Sequence, residues 1–156
     1  MPYFDPLSSA FWMTVLAAVL CGGIIGLERQ LRGKPAGVRT SCLICLSTAV
    51  FVHLGAKVTG GGSDRVLGQV VTGVGFLGAG VILTRGSEVQ GVTTAAVIWI
   101  LAAIGAAIGC GFYLGALVLS VVTVAILTGI EFLEATLRHL RRGVHSKVEE
   151  RDQGED

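Results

Sequence analysis

The densest group of residues with a recognisable spacing is a run of glycines between Gly73 and Gly80. The run reads GVGFLGAG and contains the GxGxxG spacing found in dinucleotide-binding proteins. That spacing binds a pyrophosphate only after a β-strand, at the start of a helix, with an acidic residue about 20 positions further on. Here the glycines lie inside an uncharged segment without that context. They favour close helix packing, and a broken helix that lines a transport cavity is the alternative.

A second candidate is the pair Cys42 and Cys45, which has CxxC spacing. Redox chemistry would need an exposed, stabilised thiolate, usually in a thioredoxin-like fold. A zinc site would need a second pair of ligands. The sequence offers neither, because the pair lies within an apolar segment. We interpret both cysteines as small apolar helix residues, and the sequence predicts no metal site and no cofactor.

The charged residues between Glu28 and Arg39 are the strongest candidates for a functional site. They lie in two short motifs, ERQ at 28–30 and GVRT at 37–40. An arginine at the centre of a bilayer costs roughly 2.5 to 3.5 kcal/mol, so we expect Arg39 at the cytoplasmic surface with Glu28 as its partner. A functional role and a purely structural ion pair are both compatible with this pattern. The predicted cytoplasmic mouth consists of Glu28, Arg29, Arg39 and Thr40.

The positions of the carboxylates argue against some functions. The acidic residues around the apolar segments lie at or beyond the segment ends: Asp5, Glu28, Asp64, Glu88, Glu131 and Glu134. Ion pathways usually place ionisable groups within the membrane, and Mg²⁺ prefers carboxylate oxygens and retained water. The pattern therefore disfavours a self-contained magnesium transporter, although a pore lined by carbonyls is compatible with it. No nucleophile, base and orienting group can be assembled, so we predict no catalytic residues and a non-enzymatic protein.

Five apolar segments must position these residues. Only 15% of the chain is charged, against about 25% in a soluble domain, and residues 89 to 130 carry no charge. A membrane helix needs about 20 apolar residues, so this run is long enough for two, divided at residues 109–111 by helix-destabilising glycines. The sequence predicts an all-α integral membrane protein, a tightly packed, glycine-rich bundle with spans at residues 9–27, 40–56, 66–84, 93–108 and 112–130.

The loop charges predict the orientation of this bundle. With five crossings, ten of the twelve lysines and arginines fall on one side, and only Lys57 and Arg65 on the other. Because the basic loops of membrane proteins stay in the cytoplasm, we expect residues 1–8 to be periplasmic. The membrane domain then covers residues 9–133, and a polar cytoplasmic tail covers residues 134–156. The net charge of +1 and the absence of a basic block disfavour nucleic-acid binding.

Small and weakly polar residues are expected to hold the helices together. Glycine pairs with GxxxG spacing, which lets membrane helices approach closely, occur at Gly22 and Gly26 and at residues 105/109 and 111/115. The predicted packing or pathway residues are Gly22, Gly26, Gly73, Gly75, Gly78, Gly80, Thr93 and Thr94. Within lipid, Gln69, Thr72 and the two threonines at 93 and 94 are expected to form interhelical hydrogen bonds.

Five segments resemble the MgtC/SapB family of bacterial inner-membrane proteins. Together they cover most of residues 20 to 115, in the order that the family carries them. They are GGIIGLERQ at 22–30, AGVRT at 36–40, QVVTGVGFLGAGVI at 69–82, GVTTAAVIW at 91–99 and AAIG at 102–105. The Cys42/Cys45 pair is not part of this pattern.

The resemblance implies a multi-pass inner-membrane protein linked to growth at low magnesium and, in pathogens, to virulence and survival inside host cells. It implies a regulator of other membrane proteins, among them ATP synthase. A transporter or channel component for magnesium or another ion, with a pathway along the third helix, is the alternative. The expected partners are the lipid bilayer, further copies of the chain and a second membrane protein.

The sequence departs from the family pattern in two respects. Some members carry a C-terminal ACT-like domain, which this chain is expected to lack because it ends soon after the fifth span. Some members also have asparagine at the position of Thr93. A role that depends on that amide therefore does not transfer to this chain.

The predicted orientation can be tested with topology reporters. A reporter fused after Gly111 should report a periplasmic location, because five spans place the connection between spans four and five outside the cytoplasm. Paired alkaline phosphatase and green fluorescent protein fusions measure this directly. Fusions within residues 32–37 serve as the cytoplasmic control, and cytoplasmic signal after Gly111 would contradict the five-span arrangement.

Overall fold

The computed structural model describes residues 5–58, 63–85 and 88–130. Its elements are α1 (Ser9–Leu31), α2 (Val38–Val58), α3 (Ser63–Gly80), β1 (Leu83–Arg85), β2 (Glu88–Gln90) and α4 (Val92–Gly109), followed by α5 (Tyr113–Ile130). The five predicted helices are therefore confirmed. Residues 1–4 of the predicted periplasmic segment, and everything from 131 to the end of the predicted tail, lie outside the described residues.

Four of these helices, α1, α2, α4 and α5, are long and apolar enough to cross a membrane. The third helix differs because its sequence includes Asp64, Arg65 and Gln69 alongside several glycines. The chain forms two compact units, Met1–Thr123 and Val124–Asp156. In the described part of the second unit, the hydroxyl of Thr128 donates a hydrogen bond to the carbonyl of Val124 along α5, at 2.9 Å.

Helix α1 continues beyond its predicted end at residue 27. It begins after Ser8, whose hydroxyl accepts a hydrogen bond from the amide of Phe11, an N-cap interaction that satisfies a free donor of the first turn. It ends only at Leu31, and the chain then turns at Gly33, which has a φ of 63°. Glu28 and Arg29 therefore lie within the helix instead of closing it.

Helix α2 packs closely against both α1 and α4 because glycines face it from each side. A Cβ atom added to Gly22 would lie 2.7 Å from the carbonyl oxygen of Ser41, and one added to Gly26 would lie 2.6 Å from the Cα of Val38. A Cβ added to Gly105 would lie 2.5 Å from the carbonyl oxygen of Cys45. These distances leave no space for a side chain, so Gly22 and Gly26 lie where α1 and α2 approach closely. The side chains buried in the surrounding core include Ala18, Cys21, Ile25, Ala49, Val52, Leu101, Ile104 and Ile108.

The predicted third span was wrong at its C-terminal end, which was placed at residue 84. Helix α3 stops at Gly80, and the chain forms an antiparallel β1–β2 hairpin in which Leu83 pairs with Gln90 and Thr84 with Val89. The chain then enters α4 through Gly91, which has a φ of 91°. A Cβ atom there would collide with the carbonyl oxygen of Val81, so only glycine permits this tight connection.

The predicted division of the uncharged run is confirmed. Helix α4 ends at Gly109, and Gly111 adopts a φ of 86°. The amide of Phe112 then donates a hydrogen bond to the carbonyl of Ala107, at 2.8 Å. A left-handed glycine with such backward bonds is a common way to end a helix, because it satisfies the last carbonyls. The chain then continues as α5.

The packing of Gly22 can be tested against its neighbour Gly23. Gly22→Ala should lower the thermal stability of the purified protein, because overpacking a close contact costs about 1–3 kcal/mol. A Cβ at Gly23 has only the sulfur of Cys42 within reach, at 3.9 Å, so Gly23→Ala should leave stability unchanged or raised. Thermal unfolding in detergent measures both, and equal stability of the two variants would contradict this packing.

Candidate functional site

Arg29 lies at the C-terminal end of α1 and joins three segments of the chain. Its side chain is buried, and its Nη2 donates a hydrogen bond to the hydroxyl oxygen of Thr94 at the start of α4, at 3.0 Å. Its Nε donates to the carbonyl oxygen of Pro35 in the connection between α1 and α2, at 3.4 Å. A buried guanidinium requires such acceptors because a lost hydrogen bond to a charged group is costly. Arg29 thus ties α1, the connection and α4 together.

Glu28, beside Arg29, is also buried and forms an ion pair with Arg32. The Nε of Arg32 lies 2.8 Å from Oε1 of Glu28, one helical turn away. Apart from this ion pair, neither carboxylate oxygen of Glu28 has a hydrogen-bond partner among the residues that the structure describes. Because Glu28 lies between two arginines, the local net charge is positive. This environment disfavours a divalent cation at Glu28.

The predicted pairing of Glu28 with Arg39 was wrong. Arg39 and Thr40 lie exposed in the first turn of α2, while the extension of α1 places Arg32 against Glu28 instead. The entrance to α2 is occupied by Gln30, whose Oε1 accepts a hydrogen bond from the amide of Val38 at 3.4 Å. The four residues of the predicted mouth therefore separate into a buried pair, Glu28 and Arg29, and an exposed pair.

The two threonines at the start of α4 have different environments. Thr94 is buried and receives the hydrogen bond from Arg29, which joins α4 to α1. Thr93 is exposed. On α3, the hydroxyl of Thr72 bonds to the carbonyl of Gly68 in its own helix, at 3.0 Å, and no residue in the described part of the chain bonds to the amide of Gln69. The expected interhelical bonds of Thr72 and Gln69 are therefore not formed within the described chain.

Several residues of this region were not anticipated from the sequence. Arg32 and Pro35 provide partners for Glu28 and Arg29, and the hydroxyl of Ser41 donates to the carbonyl of Ala36, at 3.0 Å. The spacing of Glu28 and Arg32 by four residues could have revealed their pairing, since such residues are neighbours on a helix. The bonds to Pro35 and Ala36 depend on the folded path of the connection and leave no comparable pattern in the sequence.

The cysteines lie in or beside the apolar helices α1, α2 and α4. All four, Cys21, Cys42, Cys45 and Cys110, are free thiols. The thiol of Cys42 donates to the carbonyl of Val19 on α1, and that of Cys45 to the carbonyl of Leu101 on α4. Both therefore support the packing of α2 on its neighbours. The described residues contain no group of histidine, cysteine and acidic residues able to hold a metal ion.

The glycines of α3 mostly have no neighbour within the described chain. Gly78 makes an ordinary contact with Ala95, at 3.7 Å from an added Cβ, whereas a Cβ at Gly73, Gly75 or Gly80 would meet nothing within 4 Å. Helical spacing places Gly73 on a different side of α3 from Gly75. Among the described residues, Gly73, Gly75 and Gly80 thus have no neighbour against which they pack.

One side of α3 carries small residues from Gly68 to Ala79. Gly68, Thr72, Gly75 and Ala79 follow each other at intervals of four, three and four, which aligns them along one side of a helix. A Cβ at Gly68 or Gly75 would meet nothing within 4 Å. We call these four residues the small-residue face of α3. Small residues at such spacing are typical of surfaces on which a second membrane helix packs.

The fold and the site define a helical membrane protein in which a buried arginine joins α1, the α1–α2 connection and α4 at one end of the bundle. The sequence model of the MgtC family matches residues 15–136. The chain belongs to the MgtC family.

The relatives bear names of three kinds. YhiD of Escherichia coli strain K12, whose name refers to magnesium transport, is 44% identical over 143 residues, which cover 86% of this chain and 65% of YhiD. SrpB of Synechococcus elongatus is 40% identical over 149 residues, covering 86% and 81%. MgtC of Salmonella typhi is 37% identical over 139 residues, covering 89% and 59%. The chain thus spans less than two thirds of YhiD and MgtC, and no solved structure matches it.

The bond between Arg29 and Thr94 can be tested by removing one hydroxyl. Thr94→Val preserves the shape of the side chain but leaves a buried donor of Arg29 unpaired, which should cost about 1–3 kcal/mol of stability. Thr93→Val is the matched control, since Thr93 is exposed and should tolerate the change. Thermal unfolding of both purified variants measures the difference. If Thr94→Val unfolded at the wild-type temperature, a stabilising bond between Arg29 and Thr94 would be contradicted.

Proposed function

We propose that this protein is a non-enzymatic regulator that binds another membrane protein through the small-residue face of α3. The observation that carries the proposal is the exposure of this face, with open space at Gly68 and Gly75. Helices in lipid associate largely through close packing, and small residues permit that approach. Within the chain, glycines of α1 and α4 already permit the same close approach to α2. The face of α3 provides a comparable surface without a partner in the described structure.

The composition of α3 supports the same proposal. Unlike the other four helices, α3 is not apolar enough to qualify as a membrane span by its own sequence. On this helix Thr72 is exposed and Gly75 is partly exposed, and a Cβ at Gly75 would meet nothing within 4 Å. Backbone and polar groups are poorly solvated by lipid, so contact with another protein would stabilise α3 in the membrane.

Arg29 and its surroundings support a regulator over an ion pathway. The guanidinium is fixed at the end of the bundle by Thr94 and Pro35, and the adjacent carboxylate of Glu28 is paired with Arg32. A fixed positive charge in this position opposes cation passage by electrostatic repulsion. The alternative, a magnesium or other ion transporter with a pathway along α3, is motivated by the name of YhiD.

The family resemblance motivates our proposal for the partner and its setting. A regulator of this kind would act in the bacterial inner membrane during adaptation to low magnesium and, in a pathogen, during survival inside host cells. ATP synthase is one membrane protein that it would bind. The exposed Arg39 and Thr40 offer a second contact at the end of the bundle where α2 begins. A further copy of the chain could bind the same face of α3.

Ion flux separates the two functions. The purified protein in liposomes should give no Mg²⁺ flux above that of empty vesicles, measured with an enclosed magnesium-sensitive dye. The expectation follows from the fixed positive charge of Arg29 at the end of the bundle. Flux that disappears in Gly75→Leu would contradict the regulator and support a pathway along α3.

Partner binding tests the proposed face itself. Gly75→Leu should abolish co-purification of ATP synthase from native membranes, because a large side chain prevents close helix approach. Gly73→Leu is the matched control: it makes the same change in the same helix, also in open space, but on a different side. Loss of ATP synthase in both variants, or in neither, would contradict binding through the small-residue face.

A further inference from the structure

A cavity of about 410 Å³ lies between α2 and α3. Its volume falls within the range of roughly 300 to 1,000 Å³ that is usual for ligand sites. Side chains of Ile44 and Phe51 on α2 and of Leu77 on α3 contribute to its walls, and Gly73 leaves part of the α3 wall without a side chain. The cavity is distinct from the small-residue face. The helical spacing of their residues places the two on opposite sides of α3.

The polarity of the cavity restricts its occupant. None of its lining residues carries a charge, and its polar groups are the neutral side chains of Ser47, Thr48 and Gln69. The hydroxyl of Ser47 already donates to the carbonyl of Ile44, at 3.2 Å. The amide of Gln69 has no hydrogen-bond partner among the described residues. The complementary ligand is therefore an uncharged apolar group with one hydrogen-bond acceptor near Gln69.

The dimensions of the cavity indicate the shape of this ligand. Along α3 the lining extends from Val66 to Leu77, which corresponds to roughly 16 Å at a rise of 1.5 Å per residue. This length is close to half of a hydrocarbon core about 30 Å thick. Since a water molecule occupies roughly 30 Å³ and a methylene group about as much, the volume holds on the order of a dozen methylene groups.

We propose that this cavity binds one acyl chain of a phospholipid from the membrane leaflet opposite residues 32–37. The chain enters near Val66 and Phe51, beside the connection between α2 and α3, and its end reaches Ile44 and Leu77. Gln69 lies one helical turn from Val66, so its amide donates a hydrogen bond to the ester carbonyl at the head of the chain. This bond satisfies an amide that is otherwise costly to place in hydrocarbon.

Native mass spectrometry of the full chain, purified in mild detergent with added phospholipid, tests the site. The wild type should retain one phospholipid per chain. Gly73→Leu should reduce retention on the order of tenfold, because the new side chain fills part of the cavity and excludes methylene groups of the acyl chain. Gly75→Leu, an identical change in open space outside the cavity, should retain the lipid.

The role of Gln69 is tested with an ether-linked phospholipid, which lacks the ester carbonyl. The wild type should prefer the ester lipid, and Gln69→Leu should lose that preference while still binding. Equal retention by Gly73→Leu and Gly75→Leu would show only nonspecific lipid and overturn the proposal. A lipid-free wild-type dimer that Gly73→Leu dissociates would overturn it as well, because a second copy would then fill the cavity.

Discussion

The close approach of α2 to α1 and α4 is the constraint on which the rest of this structure depends. It is possible only because glycines replace side chains at the crossings, with Gly22 and Gly26 on one side and Gly105 on the other. Lipid provides no hydrophobic drive for helix association, so van der Waals contact must hold the bundle together. The close packing also brings the thiols of Cys42 and Cys45 within reach of carbonyls on the neighbouring helices.

The buried arginine follows from the same packing. With α1 held against α2, the last turns of α1 enter the bundle, and Arg29 reaches Thr94 on α4 and the carbonyl of Pro35. The opposite end of α1 has a neutral counterpart, in which the hydroxyls of Thr14 and Tyr113 lie 3.1 Å apart. Helix α1 thereby fixes the starts of both α4 and α5. Helix α3 is held differently and has exposed glycines on two of its sides.

The sequence predicted the elements of this fold better than the site. Five helices and the helix break at Gly111 follow from charge spacing and glycine placement, which act locally. The burial of Arg29 did not follow, because its acceptor Thr94 lies 65 residues away and only the folded bundle brings them together. The end of α3 at Gly80 was missed for a similar reason: the tight passage through Gly91 past Val81 is a tertiary contact.

The central claim is that the small-residue face of α3 contacts another protein in the membrane. Site-specific photo-crosslinking in living cells tests it most directly, with a photoreactive amino acid at Thr72 on this face and, for comparison, at Leu16, which is 65% exposed on α1. The account predicts a discrete protein adduct from position 72 and none from position 16. Lipid adducts alone at both positions would contradict it.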